Sequence, residues 1–287
     1  MSLVVTGATG RLGRLVVEAL LERGVAPSEI IATGRDIKKI NDLADRGVTV
    51  RQADFDEPDR LAAAFAGGDK LLLVSTNAVG QRFAGHRAAI DAARAAGVSL
   101  VAYTSITRAD TSGVKLAVEH RETEQYLRDS GIPFTFLRNS WYLENYTSGL
   151  AGYLEQGGVA GSADDGRVSA ASLADYAEAA AAVLATEGHA GAVYELGGDE
   201  AFTLAELAAQ IGVASGREIT YTDMPAQRFA ELLTSVGLPK GYAEVLADAD
   251  QGLGRGELFT DSGDLGRLIG RPTTTLSEAI AAALRQS

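Results

Sequence analysis

The sequence predicts an α/β protein: a doubly wound parallel sheet with helices on both faces, followed by a smaller, mainly helical C-terminal lobe. Three observations predict it. Short β-rich apolar runs alternate with amphipathic stretches through the first half, an order that implies right-handed crossovers and parallel strands. The run Lys70-Leu71-Leu72-Leu73-Val74 is almost unbroken in its apolar character, as a strand buried on both faces should be. The first strand also breaks into three glycines and then a helix, Val4-Val5-Thr6-Gly7-Ala8-Thr9-Gly10-Arg11-Leu12-Gly13. A glycine trio between a first strand and a first helix is the context of a Rossmann-type dinucleotide cradle.

Each glycine there has a separate task. Gly7 makes the turn off the strand, Gly10 lets the backbone approach a pyrophosphate, and Gly13 permits close packing of helix on strand. The spacing is GxxGxxG, and the N–H groups that open the helix face the phosphates along its positive dipole end.

The elements follow in order. Leu12, Leu15, Val16, Ala19 and Leu20 recur at helical spacing until Gly24 and Pro27 close the helix. Strand Ile30 to Thr33 ends at Gly34-Arg35, where an acidic residue would meet the ribose hydroxyls of NAD and an arginine accommodates a 2′-phosphate. Arg35, with Lys38 and Lys39 behind it, therefore predicts NADPH, against the plainer reading that these cations cover a surface helix beside Asp36. Strand Val48 to Ala53 leads to Asp54, which either meets the adenine or caps the helix that Pro58 starts. Strand Lys70 to Val74 ends in Ser75-Thr76-Asn77, placed for the middle of the cofactor. A helix from about Ala84 to Ala96 precedes strand Leu100 to Tyr103, with Thr104-Ser105 at its tip. Helix Ala117 to Ser130 precedes strand Phe134 to Leu137, and Arg138 to Tyr146 follows with the only Trp, Trp141, beside Asn139, Ser140, Tyr142 and Asn145. That stretch suits stacking a ring and hydrogen-bonding its edges, or locking the last crossover as a core patch.

From about Gly149 the texture changes, which divides the chain into a cofactor domain, 1–148, and a substrate lobe, 149–287, with crossing between them. Gly-rich turns at 155–158 and 163–166 precede an Ala-rich helix over Leu173 to Thr186 and a strand over Ala192 to Leu196. Helices over 204–215, 226–236, 242–253 and 276–284, with a strand at 219–222, are expected to close over the sheet's carboxyl edge.

Composition narrows the function. The 287 residues carry 46% hydrophobic side chains, enough for a sizeable core, and no cysteine, which excludes a thiolate nucleophile and cysteine-held metal; no metal site is expected. A net charge of −12 argues against a non-specific grip on nucleic acid or an anionic membrane. No apolar run approaches the roughly 18 residues of a membrane span. The start has neither a basic segment nor a cleavage site, so the expected location is the cytoplasm. The expected partner is a small molecule, and monomer and homodimer both stay open.

The chemistry is marked by an absence. Short-chain dehydrogenases usually place a Tyr four residues before a Lys, and no Tyr in this chain stands so; Thr111 precedes Lys115. Only Ser105 matches the hydroxyl usually found upstream. His120 and Glu124 lie one helical turn apart; His120 could hold the ribose, supply a proton, or play no catalytic part. An acceptor that delocalises its charge needs less proton help, and a quinone is one: hydride transfer gives a stabilised hydroquinone anion that solvent can protonate.

The motifs together resemble the NmrA-like group of atypical short-chain dehydrogenases. They include the glycine stretch, Arg51-Gln52-Ala53-Asp54, Val79-Gly80-Gln81-Arg82, Ala102-Tyr103-Thr104-Ser105, Leu137 to Tyr142 with Glu144-Asn145-Tyr146, and Gly270 to Leu276. The resemblance spans nearly the whole chain. It implies that Gly7, Ala8, Thr9, Gly10, Arg11 and Leu12 bind the pyrophosphate, with Gly13 beneath, and Arg35 the 2′-phosphate. It further implies Ser75 to Asn77 at mid-cofactor, and Asn139 to Asn145 around the nicotinamide and a quinone, with Trp141 near the acceptor. Ser140 departs from the expected glycine and adds bulk beside that pocket. Two functions stay open: an NADPH-dependent quinone reductase, and a regulator that binds NADP without turning it over.

Overall fold

The computed structural model describes residues 1–285. The first half runs β1 (Leu3–Val5), α1 (Arg11–Glu22), β2 (Ile30–Gly34), α2 (Asn41–Asp45), β3 (Thr49–Gln52) and α3 (Pro58–Phe65). It continues through β4 (Lys70–Leu73), α4 (Arg82–Ala95), β5 (Leu100–Ile106), α5 (Lys115–Asp129) and β6 (Phe134–Asn139). Then come α6 (Glu144–Thr147), α7 (Leu150–Gln156), β7 (Gly158–Gly161), α8 (Leu173–Ala185), β8 (Val193–Leu196) and α9 (Leu204–Ser215). The last elements are β9 (Thr220–Asp223), α10 (Ala226–Ser235), α11 (Lys240–Gly254), α12 (Asp264–Ile269) and α13 (Leu276–Leu284).

Seven strands form one sheet in the order β3-β2-β1-β4-β5-β6-β8, and every neighbouring pair is parallel. Strand order reverses between β1 and β4, so a crevice opens at their carboxyl ends, where ligands of doubly wound sheets bind. The fold class is the one the alternating pattern predicts.

Helices cover both faces. On one, Val16, Val17 and Leu20 of α1 pack with Tyr176, Ala180 and Leu184 of α8 over the sheet. On the other, Leu61 and Phe65 of α3, Ile90 of α4 and Leu127 of α5 do the same. Small alanines over 179–182 are buried and let α8 lie close to its neighbours. A separate core unites α9, α13, Leu150 of α7 and Val159 of β7 in the smaller lobe. Thr203 with Glu206 and Thr275 with Glu278 start α9 and α13 with complete capping boxes.

The chain beyond residue 149 serves both bodies. β8 pairs with β6 as the seventh strand, and α8 and Leu265 of α12 lie in the main core. β8 extends the sheet as its edge strand beside β6, and the buried alanine-rich α8 covers the face against α1. Two local expectations change. Thr104 and Ser105 lie within β5, which runs on to Ile106 because β6 continues beside it, pairing Ser105 with Arg138 and Ile106 with Asn139. The glycine-rich turn at 155–158 runs directly into β7, which pairs with β9 in a two-stranded parallel sheet. Among the described residues no helix is long and apolar enough to cross a membrane.

Candidate active site

A cleft of about 850 Å³ runs along the carboxyl ends of β1, β2, β3, β4, β5 and β6 and is also lined by Tyr242, Val245 and Leu246 of α11. Its first segment is the glycine stretch. Gly7 has a φ of +62°, a left-handed conformation that favours glycine. A Cβ on Gly13 would stand 2.4 Å from the Gly7 carbonyl oxygen. Gly13→Ala is therefore expected to destabilise the fold by roughly 1–3 kcal/mol and to displace the turn, checked by thermal unfolding with and without dinucleotide. A Cβ on Gly34 would meet the Thr9 side chain at 2.5 Å, so the end of β2 lies directly against the turn. No side chain caps α1, whose first turn enters the cleft at Arg11, Leu12 and Gly13. An uncapped first turn presents free N–H groups, which fits a pyrophosphate.

Arg35 lines the cleft at the end of β2; it is exposed, and no carboxylate pairs with it among the described residues. Lys38 and Lys39 do not line it. Asp54 does, and its Oδ1 accepts the Asp56 amide at 3.2 Å. The capping alternative for Asp54 is not realised, because α3 starts from Glu57 without a side-chain cap.

Ser75, Thr76 and Asn77 form the middle wall, and the protein behind them fixes their backbone. Thr104 Oγ1 accepts the Ser75 amide at 2.8 Å, and His86 Nε2 accepts the Thr76 amide at 3.2 Å. Further along, Glu119 accepts the amides of Gly80 and Arg82, each at 2.8 Å. Thr104 and Ala8 therefore stand behind the wall rather than in it; the Ala8 amide is bonded to the Thr33 carbonyl at 2.8 Å.

The far end gathers Ser105, His120, Asn139, Ser140, Trp141, Tyr142 and Asn145. Tyr103 and Ser105 share one face of β5 and meet His120 and Glu124, one turn apart on α5: Tyr103 to His120 at 2.7 Å, Ser105 to Glu124 at 2.6 Å. Ser140 donates to the Leu258 carbonyl at 2.7 Å and ties the end of β6 to the smaller lobe. Among the described residues Asn139 Oδ1 is buried without a hydrogen-bond partner, an acceptor suited to the amide of a nicotinamide ring. Burial pushes the Tyr142 hydroxyl above its usual range.

His120 is not placed to hand a proton to a ligand. Arg82 can only donate, so its contact to His120 Nε2 at 2.9 Å leaves the ring's proton on Nδ1, directed at Tyr103. Burial first, and the Arg82 charge second, hold His120 well below the usual histidine range. Burial likewise raises the Tyr103 hydroxyl above the usual range.

Sequence reasoning passed over several cleft residues. Arg82 closes the Val79-Gly80-Gln81-Arg82 motif, and Phe55 follows Asp54. Leu116, Tyr242, Val245 and Leu246 carry no local signal, because α5 and α11 bring them to the cleft from distant parts of the chain.

Residues 1–282 match the NmrA-like family. The chain belongs to that family. Among its relatives is quinone oxidoreductase 2 of Escherichia coli (strain K12), 50% identical over 97% of each chain. The crystal structure of the NADPH-dependent quinone oxidoreductase from Escherichia coli, complexed with NADPH, matches with a TM-score of 0.96 and covers 98% of this chain and 99% of that one. Triphenylmethane reductase of Citrobacter sp., complexed with NADP(H), matches with a TM-score of 0.94 at 37% identity over 98% of this chain and all of that one. The negative transcriptional regulator NmrA, complexed with NAD, is 17% identical with a TM-score of 0.77 over 99% and 96% of the two chains, which shows the shared fold alone.

Proposed function

We propose that this chain is an NADPH-dependent oxidoreductase that passes hydride to a quinone or a similarly delocalised acceptor. The observation that carries the reading is one continuous cleft joining an uncapped glycine cradle to an aromatic end that has no Tyr–Lys pair. Half identity along the full length of a quinone oxidoreductase, against 17% to the regulator, favours turnover over sensing.

Bound there, NADPH supplies the hydride. The first turn of α1 holds the pyrophosphate, Arg35 the 2′-phosphate, Ser75 to Asn77 the middle of the cofactor, and Asn139 the carboxamide. Asp54 lies toward the adenine end. Trp141, Tyr142 and Asn145 orient a flat acceptor, and Tyr242, Val245 and Leu246 of α11 add apolar surface to the cleft wall. The acceptor's own delocalisation carries the developing charge, and solvent delivers the proton.

Added to protein and NADPH, a simple benzoquinone should raise the loss of NADPH absorbance at least about tenfold over the uncatalysed rate. No excess across a panel of quinones overturns the reading. Arg35→Asp should weaken NADPH by about 10- to 100-fold while sparing NADH, because a charge-assisted contact to the extra phosphate becomes a repulsion. Titration of both dinucleotides by protein fluorescence checks it; equal affinity for NADPH before and after the change removes Arg35 from the cofactor site.

A further inference from the structure

Arg82 is the anomaly of the cleft. It is 6% exposed, yet no carboxylate pairs with it among the described residues. Its neighbour Glu119 spends its oxygens on the backbone amides of Gly80, Arg82 and Phe83. The guanidinium is held by two neutral acceptors instead, the Thr76 carbonyl on Nε at 2.7 Å and His120 Nε2 on Nη1 at 2.9 Å. Nη2 makes no hydrogen bond to protein among the described residues, and Arg82 forms part of the cleft wall together with Ser105, Trp141 and Tyr142.

A buried cation without a counter-ion is costly unless something else needs its charge. The surrounding network keeps the charge unbalanced. Tyr103 accepts from His120 Nδ1, which fixes His120 with its lone pair toward Arg82. His86 accepts the Thr76 amide and, through Nδ1, meets Thr123 at 3.0 Å, which fixes the segment whose carbonyl holds Nε. Both rings stay neutral beside the cation, so it is oriented without being neutralised.

We infer that Arg82 is a catalytic residue that binds the acceptor oxygen on which negative charge develops, with His120, His86 and Tyr103 as its positioning residues. The inference rests on the proposed quinone reduction and deepens it. In that reaction the dihydronicotinamide loses a hydride and is oxidised. The quinone gains that hydride, which is two electrons with one proton, and is reduced to the hydroquinone monoanion. Arg82 donates hydrogen bonds to the anionic oxygen through Nη1 and Nη2 and keeps its own protons; a proton from solvent then completes the hydroquinone. The fixed cation takes the place of the Tyr–Lys pair that the chain lacks.

Two measurements on the full chain test it. In quinone turnover, Arg82→Met should lower kcat by about 10²–10³-fold with NADPH affinity changed less than about threefold, and Arg82→Lys should recover part of the loss. Independently of turnover, a nitrophenol bound to the NADP⁺-loaded protein should ionise at least about one pH unit lower than in water, a shift that Arg82→Met abolishes and His120→Gln reduces. Retained far-ultraviolet circular dichroism establishes that the variants are folded; should Arg82→Met not fold, Arg82→Lys and His120→Gln carry the same comparison. A folded Arg82→Met enzyme with unchanged kcat, or one whose loss is wholly in NADPH binding, overturns the inference. Absence of quinone turnover in the unaltered protein instead overturns the proposed function, and the nitrophenol titration still reports on Arg82.

Discussion

Replacing Arg138 with Met is expected to destabilise the protein by about 3–5 kcal/mol, because it leaves the buried Glu124 with only the half-exposed Arg128, whose Nη2 stands at 3.4 Å. Glu124 is 1% exposed and receives Arg138 through Nε at 2.9 Å and Nη2 at 2.7 Å. Nη1 reaches Glu195 at 2.9 Å and Asp110 at 3.2 Å. Burial opposes the Arg138 charge, but the hydrogen bonds and charges of Glu124 and Glu195 outweigh it and hold the guanidinium above its usual range. Without Arg138, Glu124 loses its two-point partner, and Ser105, which donates to Glu124, loses its fixed orientation in the cleft. The urea midpoint at constant m-value measures the loss. Adding Glu124→Leu should restore much of it, since an apolar pair leaves no uncompensated charge. A single-variant loss below about 1 kcal/mol would show that the pair contributes little.

Acidification should destabilise the protein well before its ordinary carboxylates titrate. His86 is buried, and desolvation first, with the Arg82 charge second, pulls it down to about 3 from 6.5. His120 is depressed as well, for the same causes together with the His86 charge. Unfolded, both protonate near 6.5; folded, both stay neutral until far lower, so the unfolded state binds more protons in between. Stability is then fully present above about pH 6.5 and is lost as pH falls toward the folded values, by about 1.4 kcal/mol per pH unit for each ring. Asp250 works the other way. Burial pushes it up to about 6 from 3.8, so between those values the folded state binds the extra proton and offsets one ring. His86 and His120, joined by the likewise depressed His189, outweigh Asp250, so stability is expected to fall from pH 6 to pH 4. Urea midpoints across that range check it, and the double variant His86→Gln with His120→Gln should make the slope clearly shallower. A flat profile for the unaltered protein would mean that the rings are not held neutral.

Much of the nucleotide end was legible because its signals are local. Gly7, Gly10 and Gly13 sit within seven residues, and the need for a turn, an approach and a close contact is written into their spacing. Arg35 could be found by counting to the end of the next strand. The acceptor end was legible only in part. Asn139 to Asn145 announced itself by composition, and the shared helical face of His120 and Glu124 follows from a four-residue interval. What their partners are does not follow from any interval: Arg82 stands 38 residues from His120, and Arg138 14 residues from Glu124.

The sequence was sufficient for the alternation of strands and helices in the first half, the parallel doubly wound sheet, the glycine turn and the missing Tyr–Lys pair, because each depends on periodicity, glycine or a short spacing. Packing over long separations settled the rest. It carried α8, β8 and α12 back to the first half, extended β5 beside β6, moved Ala8 and Thr104 behind the cleft wall, and laid α11 across the acceptor end. It also turned His120 from a candidate proton donor into the acceptor that orients Arg82. Those outcomes depend on which buried polar groups find partners once the chain is compact, and hydrogen bonds between distant residues leave no mark in local sequence.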